Sequence, residues 1–165
     1  MLFLMESIVA CALFTLLIKL ISHNRREVFT NDYPPVVTDK LRQQGLIAEK
    51  PPAKKKDIIR KLTAMVVFAI LFALLMRYVN GIETFWEATL TVYGLWLVVD
   101  WYDFLVMDIL LAPFDKFYQK SGISAFNKSA IWFHFKGSLR GMVLGVICAV
   151  LVGALVMLFC REVYS

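Results

Sequence analysis

The chain has 165 residues, 59% of them hydrophobic, and a formal net charge of +5. Soluble domains are about 45–50% apolar, so an ordinary water-soluble globule is excluded. The basic excess does not indicate a nucleic-acid partner, because the cations flank apolar runs and no nucleic-acid motif accompanies them.

Four long runs hold the apolar excess: Met1–Ile21, Leu62–Val79, Phe85–Ala112 and Leu139–Cys160. Each has about the ~18–20 residues needed to cross a ~30 Å hydrocarbon core. Lipid offers the backbone no partners, so runs of this length are helices. The expected fold is all-α: one membrane domain over residues 1–165, built as a polytopic bundle of four transmembrane helices with loops at 22–61 and 113–138.

The first run lacks a basic leader and a small-residue cleavage site, so it reads as a retained helix rather than a signal peptide. Cys11, Cys148 and Cys160 all fall within runs, at no metal-ligand spacing, and read as packing residues. The first loop is punctuated by "YPP" at 33–35 and "KPP" at 50–52. Between them "VTDKLRQQGL" predicts a short amphipathic helix, capped near Thr38 or Asp39, lying on the membrane surface. Lys54, Lys55, Lys56, Arg60 and Lys61 then lead into the second run. Such a cluster anchors topology and attracts anionic cytoplasmic lipids, by about 1 kcal/mol per nearby cation.

Asn80-Gly81 is a turn signal, so the second and third runs form a helical hairpin. Trp86, in "FWEA", suits the aromatic belt at one membrane face. Pro113 closes the third run. The second loop mixes aromatic and basic residues, and its end, "AIWFHFK", suits the headgroup level. In the fourth run Gly137, Gly141, Gly145, Ala149 and Gly153 recur every four residues. Such a ridge lets another backbone approach closely. The neighbour is either a helix of this chain or a second copy in a homodimer; the spacing leaves both open.

Charge placement predicts orientation. Ten cations lie between the first two runs, four lie between the last two, and Lys19 and Arg140 flank these loops, against Arg77 and Arg161 on the other side. The positive-inside rule then places both long loops in the cytoplasm and both termini outside. The expected location is a bacterial cytoplasmic membrane.

The third run carries three acids in nine residues, "DWYDFLVMD" at 100–108. Counted from Thr84 at 1.5 Å per residue, Asp100, Asp103 and Asp108 lie roughly 24, 28 and 36 Å along the helix. On an α-helix Asp100 and Asp103 are about 60° apart, and Asp108 falls about 80° to the other side of Asp100. An ionised Asp at mid-bilayer costs about 2.5–3.5 kcal/mol, so the acids must share a proton, bind a cation or meet basic groups. His134, Lys136 and Arg140 approach the same level from the fourth run. The expected cluster is therefore Asp100, Asp103, Asp108, His134 and Arg140, with Lys136 at its rim.

Nothing marks a catalytic centre. No Ser-His-Asp arrangement, Gly-rich phosphate loop or HExxH is present, no full metal-ligand set is visible, and no cofactor is expected. Three roles fit: passing or sensing a small ion or proton at a polar crevice, an accessory or scaffold role in which the cluster only orients helices, and a membrane enzyme acting on lipid headgroups. In the first, Asp103 is the protonatable acceptor, His134 its relay or partner and Arg140 the counter-charge.

"DYPP" (32–35), "FWEA" (85–88), "DFLVMD" (103–108) and "HFKG" (134–137) occur in this order. The arrangement resembles a family of small, uncharacterised bacterial four-helix membrane proteins. The resemblance implies the same fold and no particular activity, and it marks Asp103, Asp108 and His134 as motif positions.

Overall fold

The computed structural model describes residues 2–24, 32–48 and 55–163; at 21–24, 55–58, 60–61 and 161–163 it describes the backbone alone. Lys54 lies outside the described residues, as do the side chains of Lys55, Lys56, Arg60 and Lys61. Among the described residues the fold is all-α, with no strand. The helices are α1 (Leu2–Asn24), α2 (Pro35–Gln43), α3 (Lys55–Leu74), α4 (Phe85–Tyr102), α5 (Lys116–Ser121) and α6 (Lys128–Val163). A π-helical turn, Leu75–Val79, extends α3, and a longer π-helical segment, Asp103–Leu110, extends α4.

Four of these helical stretches are long and apolar enough to cross a membrane: Leu2–Leu20, Leu62–Val79, Phe85–Leu110 and Lys128–Cys160. This is a multi-pass membrane protein. Large apolar side chains on the outside fit that setting; Leu4, Leu13 and Leu20 of α1 are each at least 60% exposed.

Helix α6 begins eleven residues before the expected Leu139. Asn127 starts it: its side-chain oxygen accepts from the Ser129 N–H at 2.9 Å, and its carbonyl accepts from the amides of Ala130 and Ile131. An Asn cap satisfies amides that an unstarted helix leaves open. "AIWFHFK" (130–136) consequently belongs to the first three turns of the same continuous helix as the fourth run.

The chain divides into two compact units, one joining Met1–Lys50 with Val98–Gly141, the other joining Pro51–Leu97 with Met142–Ser165. In the second unit, Ala69, Ala73 and Met76 of the α3 stretch share a buried core with Val92 and Leu95 of α4 and with Ala149, Val152 and Val156 of α6. Small residues set the contact distance. A Cβ on Gly145 would overlap the Trp96 indole, and one on Gly153 would stand 2.9 Å from the Phe85 carbonyl oxygen. Here the small-residue ridge packs against α4 of the same chain. The Asn80-Gly81 turn closes the α3–α4 hairpin. Gly81 takes φ 68°, the left-handed value that ends helices, and the Ile82 amide reaches back to the Met76 carbonyl at 2.9 Å. Arg77 and Glu83 pair across the turn at 2.8 Å.

In the first unit, α2 departs from its expected place. It starts at Pro35 rather than near Thr38, and proline at the first helical position loses no bond the helix would have made. Val37 and Leu41, four apart on one face, are 0% and 1% exposed. They share a core with Tyr118 of α5, Ala125, and Ala130 of α6. The apolar face of α2 is covered by protein and not laid on lipid. Asp115 caps α5 by accepting from the Phe117 N–H at 2.7 Å, and Gly122, at φ 69°, ends it. Helix α1 joins α4 through hydroxyls: Thr15 Oγ1 lies 2.7 Å from Tyr102 Oη.

Candidate functional site

All three span acids line one cavity of about 890 Å³, which lies wholly within the first unit. Its walls come from the later half of α1, the end of α4 with its π-helical extension, and the start of α6. Asp32 and Asp115 also line it, and Tyr118 reaches it from α5.

The π-helical winding decides how the acids are arranged. Its bonds run from residue i to i+5, as in the Leu111 N–H to Val106 carbonyl contact of 2.8 Å. Residues five apart therefore become the facing neighbours that residues four apart are on an α-helix. Asp103 and Asp108 are five apart. The α-helical expectation separated them; the wider turn returns both to the cavity side.

The opposite wall is set by ordinary α-helical spacing. His134 and Ser138 are four apart on α6, hence on one face, and both are buried. His134 Nδ1 lies 2.8 Å from Asp108 Oδ2, and its Nε2 lies 3.0 Å from Tyr118 Oη. Burial, helped by the nearby carboxylates of Asp108 and Asp115, pushes the Tyr118 phenol above its ordinary range. A phenol that keeps its proton donates to Nε2, which leaves Nδ1–H to donate to Asp108. The result is a hydrogen-bonded chain from α5 through α6 to the π-helical segment.

Asp100 has its own partner, since the Ser138 hydroxyl donates to its carboxylate. Gly141, one turn beyond Ser138, makes room for that carboxylate, because a Cβ there would overlap it. Gly137 lines the cavity, with open space where a Cβ would stand. Asp103 differs from the other two span acids. It makes no hydrogen bond or ion pair among the described residues, yet it faces the cavity.

The expected cations do not meet these acids. Lys136 and Arg140 are exposed, neither lines the cavity, and neither pairs with a carboxylate among the described residues. The reason is angular. Arg140 is six residues beyond His134, about 120° off its face at 100° per residue. Lys136, two residues beyond, points elsewhere again, and its Nζ lies 5.2 Å from the Trp132 ring centroid. Arg140 is thus not the counter-charge. Among the described residues the lysine that does line the cavity is Lys19, from α1.

Ser138 was detectable from its spacing to His134. Tyr118 and Lys19 carried no such signal, because their roles depend on which helices meet. Among the described residues no three His, Cys, Asp or Glu side chains are grouped so as to hold a metal ion. Comparisons with protein-family models, with curated proteins and with solved structures give no match.

Proposed function

We propose that this membrane protein passes or senses a small cation or proton at the cavity, with Asp103 as the acceptor. One observation carries the reading. Asp100 is engaged by Ser138 and Asp108 by His134, while Asp103 lines the same cavity with no hydrogen-bonding or ionic partner among the described residues. A carboxylate set in a membrane span is costly when ionised, so one left unpaired and accessible is suited to taking up a proton or a cation. His134, held by Asp108 and Tyr118, is a positioned neighbour. The charge bias along the chain favours a cytoplasmic opening, with both termini outside. The motif resemblance favours a bacterial inner membrane. The cations at 54–61 are proposed to meet anionic lipids there, and a homodimer is compatible with the exposed helix faces.

Purified protein in proteoliposomes, with a pH-sensitive dye inside, tests the proposal. The parent is expected to collapse an imposed proton or cation gradient, and Asp103→Asn to abolish that flux. Absence of parental flux, or flux unaltered by the substitution, defeats the transport form.

A scaffold reading draws on the Asp108–His134–Tyr118 chain and the Ser138–Asp100 bond, which join three helices. The two readings separate at Asp103, which a purely structural network has no reason to leave unpaired.

A further inference from the structure

We infer that the cavity takes an organic ammonium cation, whose N–H groups reach Asp103 while its apolar body packs on Phe14, Ile18, Phe104 and Phe133. The inference rests on the reading that the cavity admits cations at Asp103, and it names their chemical class.

Three features of the lining point this way. The first is charge. Among the described residues five aspartates line the cavity against one lysine and one histidine; even with Asp32 set aside as engaged elsewhere, the acids outnumber the basic groups, so the field inside favours a cation. The second is the composition of the walls. Phe14, Leu17 and Ile18 come from α1, Phe104 and Met107 from the π-helical segment, and Phe133 from α6. A bare inorganic cation needs a shell of oxygen ligands; apolar side chains supply none, and no metal-holding group of side chains converges among the described residues. A hydrocarbon or aromatic body gains from those walls, and aromatic faces attract an ammonium as well. The third is size. About 890 Å³ falls within the roughly 300–1,000 Å³ typical of small-molecule pockets.

The recognition is a division of labour. An ammonium satisfies one carboxylate through charge-assisted hydrogen bonds and does not need a full coordination shell. Asp103 is the span acid with that capacity, since the other two are engaged. The rings then discriminate amines with apolar bodies from ammonium itself.

The test is isothermal titration of the full chain in nanodiscs with 2-phenylethylammonium, using 2-phenylethanol as neutral isostere and empty nanodiscs to subtract partition into lipid. The amine is expected to bind, and the alcohol to bind at least about tenfold more weakly, or ~1.4 kcal/mol. Asp103→Asn should bring the amine down to the level of the alcohol. Asp103→Glu should retain binding, which guards against a general folding defect, and Phe104→Ala should weaken both ligands. No binding by the parent, equal binding of amine and alcohol, or undiminished binding to Asp103→Asn overturns the inference. Gradient collapse that depends on Asp103 together with no amine binding removes this inference and leaves the proposed function in place. Amine binding without any flux keeps the ligand class and removes transport.

Discussion

Asp100, Asp103 and Asp108 are the same residue type in the same span, and their surroundings separate them. Asp108 accepts a hydrogen bond from the Nδ1–H of a histidine that is 8% exposed, so truncating it strands a buried donor. Asp108→Ala is expected to cost about 1–3 kcal/mol, whereas Asp103→Asn is expected to be neutral or mildly stabilising, because it discharges an unpaired acid. Thermal unfolding in detergent checks both, and a larger loss for Asp103→Asn than for Asp108→Ala contradicts the assignment of partners. Tyr118 provides a test by pH. Its folded-state value is raised above the ordinary 10.0, so the stability it contributes is complete below pH ~10 and is lost as the pH rises beyond it. Melting temperature followed from pH 8 to 11 should therefore fall more steeply for the parent than for Tyr118→Phe. Parallel curves argue against the buried phenol. Glu6 shows the opposite economy. Both its carboxyl oxygens are buried without a hydrogen-bond partner, so Glu6→Gln is expected to raise stability, by about 1 kcal/mol.

At the level of elements, the ridge on α6 is one repeat in sequence and two different surfaces in the fold. Gly145 and Gly153 are pressed against α4, while Gly137 faces open space. Adding a methyl at Gly153 forces a backbone or ring shift, and overpacking of this kind costs about 1–3 kcal/mol. The same change at Gly137 meets nothing and removes glycine's helical penalty, worth up to about 1 kcal/mol. Gly153→Ala and Gly137→Ala should thus move the melting temperature in opposite directions; equal effects would mean that close helix approach is not what the ridge provides. The π-helical extension of α4 belongs to this scale as well. Its i to i+5 bonding turns a five-residue separation into a shared face, which is how Asp103 and Asp108 reach one cavity.

For the whole molecule, orientation is the property that the charge bias predicts and that a simple experiment decides. In a cysteine-free background, Asn80→Cys in the hairpin turn should react with a membrane-impermeant maleimide from outside intact cells. Gln119→Cys on α5 should react only after permeabilisation. Reversed labelling would put the cavity on the opposite side and require the positive-inside assignment to be abandoned.

Much of the architecture was legible along the chain because its causes are local. Length and apolarity specify spanning helices wherever water is absent, Asn80-Gly81 announces its turn, and His134 to Ser138 is ordinary helical spacing. The start of α6 was also written locally, in Asn127, though aromatic and basic residues around it obscured the signal. Which groups pair across helices was not legible. The choice of Tyr118 over Arg140 as a partner for the His134 face, the arrival of Lys19 and the docking of α2 on α5 depend on residues far apart in the chain. Side-chain periodicity states which residues share a face; only packing determines what that face meets.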